Sequence, residues 1–171
     1  MRLHAAMSMA LAVLAFSAAG ISCRASHNAA PTDALATAVP PVAFDTTTLR
    51  FGSTAISVEV AGTAEQQQRG LGYRDALEAD AGMLFDFHTV QTGELWMKGM
   101  RFPLDFVWID EAKRVSEITA DVAPEPGVPD AQLRRYRSRA PVRYVLELNA
   151  GAAARFGIAP GTQIQFESPQ Q

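Results

Sequence analysis

Lysine and cysteine are nearly missing from this chain. Of its 15 basic residues only Lys98 and Lys113 are lysines, and 18 acidic residues bring the formal charge to −3. That balance excludes the continuous basic surface on which nucleic-acid binding depends, so nucleic acid is not an expected partner. Cysteine occurs once, at Cys23, which rules out an internal disulfide. The 3 histidines are scattered, and Cys/His structural zinc spacing is absent. His88 with Asp86 is at most a fragment of a metal site, and no metal is expected. No serine stands in a Gly-x-Ser-x-Gly elbow, and Ser53, Ser57 and Ser116 read as ordinary strand or turn residues. Arg69-Gly70-Leu71-Gly72 holds a Gly-x-Gly without the spacing or following helix of a phosphate loop, so no cofactor is expected. What is present is 171 residues, 48% hydrophobic and 19% charged, enough for one domain with its own core.

The N-terminus reads as a targeting segment. Arg2 and His4 lead into an apolar run from Ala5 to Phe16, followed by the small residues Ser17-Ala18-Ala19-Gly20, the pattern of a secretory signal. The run is shorter than the roughly 20 residues that cross a bilayer, and no later segment is long and apolar enough to span. Cys23, preceded by Gly20-Ile21-Ser22, resembles a bacterial lipoprotein box, although Gly20 stands where an aliphatic residue is preferred. The resemblance implies that Cys23 becomes the first residue and carries several acyl chains, which together anchor a protein where one would not. The alternative is ordinary cleavage after Ser17-Ala18-Ala19, with Cys23 incidental. Arg24 follows in place of the Asp that favours inner-membrane retention. A lipidated chain is therefore expected on the periplasmic face of the outer membrane, and an unlipidated one in the periplasm or outside the cell. From Arg24 to about Ala43, Ala, Ser, Thr, Pro and Asn predict a flexible tether. The expected division is a signal peptide over 1–22, an anchored tether over 23–45 and a globular domain over 46–168.

Within that domain, Leu49 to Phe51 and Ala55 to Val60 alternate about Gly52-Ser53 and predict a hairpin. Thr63 and Gln66 predict a capping box opening a short helix that stops at Gly70. Residues 82–87 and 94–98 predict a second hairpin, and 106–109 with 115–120 a third. Prolines 124, 126, 129 and 141 fall in a long loop that is either functional or disordered. A strand follows over 143–148. Asn149 is placed to cap a short helix over 150–156, with Gly157 as its left-handed stop, and residues 163–166 form a last strand. The expected fold is mainly β: a compact, mostly antiparallel barrel or sandwich with two short helices.

Arg69-Gly70-Leu71, Gly82-Met83-Leu84-Phe85, Trp96-Met97-Lys98, Pro103-Leu104-Asp105, Tyr144 to Gly151 and Gly157-Ile158, in that order, resemble the bacterial and archaeal family called domain of unknown function 192. The likeness runs from about Ala55 to Phe166. It departs at Gly72, where Met is common, at Gly99, where Asn usually follows Trp-Met-Lys, and at Glu125, where a Cys is sometimes found. The family implies a small β-rich domain, often exported, and supplies no reaction.

The candidate ligand-binding residues are Arg69, Trp96, Lys98, Asp105 and Glu147. In a strand, Trp96 and Lys98 would share a face, setting an aromatic platform beside an ammonium group for an anionic, carbohydrate or peptide ligand; as scaffold, Trp96 and Met97 would fill core with Lys98 at its edge. Asp105 and Glu147 are carboxylates embedded in apolar strands. They either converge on a cleft as a hydrolytic acid/base pair, serve as ion-paired structural groups beside Lys98, Arg69 or Arg143, or occupy the wet face of a strand. Arg134, Arg135, Arg137, Arg139 and Arg143 form either an anion-binding cluster or a solvated face. The expected role is an exported envelope binding or accessory module for an envelope protein or a small or anionic ligand, with a small hydrolase as the alternative.

Overall fold

The computed structural model describes residues 41–167. The expected signal peptide, the lipidation at Cys23 and most of the tether lie outside the described residues. Among those described, nine strands form: β1 (Asp45–Phe51), β2 (Thr54–Ala61), β3 (Ala81–Gln91), β4 (Glu94–Leu95), β5 (Leu104–Ile109), β6 (Val115–Val122), β7 (Tyr136–Arg137), β8 (Val142–Asn149) and β9 (Gln165–Glu167). Two short helices, α1 (Ala64–Arg69) and α2 (Ala152–Arg155), accompany them. No described helix is long and apolar enough to cross a membrane.

Seven strands make one mixed sheet in the order β6-β5-β8-β3-β2-β1-β9, and β4 pairs with β7 in a second, small sheet. The fold is mainly β, as the alternation of the sequence requires. All pairings in the large sheet are antiparallel except β2 with β3. Parallel neighbours need a long crossover, and here it is the stretch from Gly62 to Asp80 that carries α1. The sheet curls until the turn after β5 meets the segment before β9. There Arg114 bridges Gln163, and the Ile164 N–H donates to the Lys113 carbonyl at 2.9 Å. The bridge is isolated, so the barrel is not closed and the packing is sandwich-like.

The sheet is buried on both faces at its centre. Leu84, Val107, Ile109, Leu146 and Leu148 enter one apolar cluster together with Ala152 and Ala153 of α2. Their alternate neighbours Met83, Phe85, Phe106, Trp108 and Val145 enter a second, with Leu71, Leu95, Met97 and Met100. Every residue of β5 is buried, which is why its sequence reads as continuous apolar rather than alternating. Each large side chain so buried contributes about 1.5–3 kcal/mol.

Three expectations are corrected. Residues 82–87 and 94–98 do not form a hairpin: β3 lies between β2 and β8, while β4 leaves the sheet to pair with β7. Asn149 does not cap α2; its side-chain amide donates to the carbonyls of Leu77 and Glu78, and Gly151 occupies the cap position. The proline-rich stretch is not loop throughout: it holds a 3-10 turn at Asp130–Gln132 and β7.

Candidate functional site

Glu147 sits on β8 opposite Met83 of β3 and Phe106 of β5, so its side chain emerges among the second apolar cluster. It is 4% exposed, and its Oε2 is buried without a hydrogen-bond partner. Burial pushes its carboxyl up to about 8, against the opposing charge of Arg74. Burial without a partner thus favours the protonated carboxyl over the carboxylate, because a buried unpaired charge is costly.

Glu147 lines a cleft of about 430 Å³ that also takes in Arg69, Leu71, Phe85, Trp96 and Lys98. Local chemistry explains how α1 brings Arg69 there. The Gln66 N–H donates to Thr63 Oγ1 at 3.2 Å and the Thr63 N–H to Gln66 Oε1 at 3.0 Å, the reciprocal capping box foreseen from the sequence. Gln67 Nε2 donates to the Asp86 carbonyl at 2.7 Å and fastens α1 to β3. Gly70 ends the helix at φ 49°, a conformation that a side chain would strain, and a Cβ there would stand 3.3 Å from the Phe85 ring. Arg69 is thus the last helical residue. Its guanidinium lies 5.1 Å from the Tyr73 ring centroid, and its Nη1 is buried with no partner.

Trp96, Met97 and Lys98 follow β4 but are not themselves in a strand. Met97 fills core, whereas Trp96 and Lys98 are half-buried and both line the cleft. Arg135 lays its guanidinium 3.3 Å from the Trp96 ring centroid, a stacked cation–π arrangement. Lys98 Nζ is 2.6 Å from Asp130 Oδ2, and this partner holds its ammonium above the ordinary lysine range.

Of the five candidates, Arg69, Trp96, Lys98 and Glu147 line this one cleft, and Asp105 does not. Asp105 projects from β5 toward α2, where its carboxylate accepts the N–H groups of Asp121 and Ala153, both at 3.0 Å. It is a structural acceptor that satisfies the start of α2. The proposed Asp105–Glu147 acid/base pair is therefore not assembled, since the two side chains leave the sheet on opposite faces. Neither forms the anticipated ion pairs: Lys98 goes to Asp130, and Arg143 lies 3.5 Å from Asp86 and 3.9 Å from Glu111.

The arginine cluster divides. Arg134, Arg135, Arg137 and Arg139 line a shallow groove with Glu117 and Tyr136, but Arg137 pairs with Glu94, Arg139 with Glu117, and Arg134 lies over Tyr136. Arg143 is not among them. Among the described residues no group of three His, Cys, Asp or Glu is placed to hold a metal ion. His88 instead contacts the Gly62 carbonyl at 2.7 Å.

Two contributors to the cleft escaped the sequence reading. The sequence groups Arg135 with its neighbouring arginines, and nothing in its spacing signals that it folds back over Trp96. Gly72 is the other: a Cβ there would lie 2.8 Å from the Lys98 carbonyl oxygen, so only glycine lets the two walls approach. Its unusual place after Arg-Gly-Leu was the available signal.

Comparison with known proteins places this geometry in context. The family DUF192, described as "Uncharacterized ACR", matches residues 47–166. A crystal structure from Sinorhizobium meliloti 1021, named a "putative transcription regulator", is 32% identical with a TM-score of 0.67, covering 74% of this chain and 98% of that one. A protein of unknown function from Novosphingobium aromaticivorans DSM 12444 is 30% identical with a TM-score of 0.62, covering 75% of this chain and 91% of that one. No match was found among curated proteins.

Proposed function

The chain belongs to the DUF192 family, and we propose that it acts as a binding module of the cell envelope that holds a small, partly apolar ligand in the cleft between α1 and the Trp96–Lys98 segment. One observation carries this reading. A carboxyl group buried to 4% exposure in the cleft wall has an oxygen with no partner, and buried polar groups in folded proteins are nearly always satisfied. A ligand would supply the missing contact. The cleft's size suits a small molecule, and its mixture of aromatic, aliphatic and few polar groups is that of ligand sites generally.

The envelope location rests on the apolar N-terminal run and on Cys23 at the expected cleavage point. An anchored tether would keep such a module within a few nanometres of the membrane. Intact mass of the protein recovered from its host membranes tests this half: a chain starting at Cys23 with added acyl mass is expected, and an unprocessed cytosolic chain would overturn it. The binding half is tested by screening the purified protein against a small-fragment library by ligand-observed NMR. Hits that Glu147→Ala and Trp96→Ala weaken are expected. A library without hits, or hits indifferent to both changes, would remove the cleft from consideration.

A further inference from the structure

We propose that the ligand is an apolar carboxylate, its −COO⁻ group received by Arg69 and the Glu147 carboxyl and its body laid against Phe85, Leu95, Trp96 and Met100; this rests on the cleft being the binding site. The argument begins with hydrogen-bond inventory. Arg69 Nη1 is buried without a partner, and arginine only donates. Glu147 Oε2 is likewise unpartnered, and a protonated carboxyl has an O–H to give. Two donors in one cleft call for an acceptor between them. A carboxylate offers two oxygens in a plane and matches the guanidinium fork, which a hydroxyl or an amide does not.

Charge agrees. Among the described residues Arg69 and Arg135 have no carboxylate partner, whereas Lys98 is neutralised by Asp130 and Glu94 by Arg137. With Glu147 neutral, the cleft is net positive inside a protein whose formal charge is −3. The walls limit the class further. Leu71, Phe85, Phe87, Leu95, Trp96 and Met100 supply apolar surface for a body of several carbons. A compact, strongly hydrated anion such as phosphate would lose its water against these walls and gain one fixed guanidinium in return.

The arrangement couples binding to a proton. The charge that acts on Glu147 is that of Arg74, itself paired with Glu59 on β2, while Arg69 at the end of α1, Glu94 of β4, Lys98 and Arg135 share the cleft lining with it. The residues opposite it on β3 and β5, Met83 and Phe106, do not titrate. Ionising Glu147 would replace the O–H donor with a second negative charge facing the ligand.

Calorimetric titration of the purified protein with 3-phenylpropanoate, hexanoate, 3-phenylpropanamide and inorganic phosphate, at pH 7 and pH 9, tests the inference. The carboxylates are expected to bind at pH 7 and to weaken about tenfold by pH 9, as Glu147 loses its proton. The amide is expected to bind at least about tenfold more weakly than its acid, and phosphate not at all. In Glu147→Gln, which keeps a donor that does not titrate, the pH dependence should vanish. Arg69→Gln, at the cleft wall, should lose carboxylate affinity while keeping its melting temperature. Equal binding of acid and amide, tight phosphate binding, or a pH dependence that survives in Glu147→Gln would overturn the carboxylate assignment and leave the cleft as a site for another class. If none of the four probes nor any fragment binds, the binding reading itself fails.

Discussion

Asp105 and Glu147 lie on adjacent strands, Asp105 opposite Leu148 and Phe106 opposite Glu147, and their carboxyl groups leave the sheet on opposite faces. The two acids therefore meet opposite demands. Asp105 is met by two backbone N–H donors in the first core, and Glu147 by none in the wall of the cleft. A group whose donors are built in is structural; a group left without them is available.

For Asp105 the expected consequence is mechanical. Asp105→Ala strands the buried N–H of Ala153 and the part-buried N–H of Asp121, at about 1–3 kcal/mol for a fully buried group and less for the other. Urea denaturation should show a loss of several kcal/mol, while ligand binding by the folded fraction stays unchanged. Loss of binding without loss of stability would contradict the assignment.

For Glu147 the consequence is a pH dependence of stability with a definite sign. Its folded carboxyl sits at about 8 against an ordinary value of 4.5, so between those limits the folded state binds more protons than the unfolded one. Stability is then fully present below pH 4.5 and falls as pH rises to about 8, beyond which the loss is complete. Glu147→Gln cannot ionise and should escape this loss, gaining about 3–5 kcal/mol on wild type between pH 4.5 and pH 8.5. Parallel denaturation curves across that window check it; a constant difference would mean that Glu147 is not buried as an acid.

What the sequence disclosed follows the range of each interaction. The capping box at Thr63 and Gln66, the stop at Gly70 and the β5–β6 hairpin are local, and their residues declare them. The parallel pairing of β2 with β3 and the departure of β4 from the sheet are long-range and leave no periodic mark. The same holds for the site. Glu147, Trp96 and Lys98 are legible as polar or aromatic side chains within apolar runs and Arg69 as the last residue before the helix stop at Gly70, but the face on which Asp105 emerges depends on strand alternation and on where α2 packs. A one-residue shift in a strand reverses that face, which is why spacing alone joined Asp105 to Glu147.

Arg135 provides a test of how the cleft is covered. Its guanidinium lies on Trp96 from an exposed position, so its removal should cost at most about 1 kcal/mol. The chain has 2 tryptophans, and Trp108 is fully buried. In Arg135→Ala, acrylamide should quench the fluorescence of Trp96 more strongly while the Trp108 component is unaffected. Unchanged quenching would show that Arg135 does not shield the ring.

Gly72 decides how closely the two walls of the cleft approach. A Cβ at this position would stand 2.8 Å from the Lys98 carbonyl oxygen and 3.1 Å from that of Arg69. Both are backbone atoms, so neither can swing aside as a side chain would, and the 69–72 and 96–98 segments must separate. Gly72→Ala should therefore cost about 1–3 kcal/mol by overpacking, and the bulkier Gly72→Met at least as much. Gly62 is the control, because a Cβ there would meet only the His88 ring at an ordinary 3.7 Å; Gly62→Ala should change stability by less than about 0.5 kcal/mol. Denaturant titration of the three variants separates the cases. Ligand affinity should fall in the Gly72 variants alone, because widening that gap moves Arg69 away from Lys98 and from the Glu147 carboxyl. If Gly72→Ala proves as mild as Gly62→Ala, the walls are not in contact through this glycine, and the cleft is held open by other means.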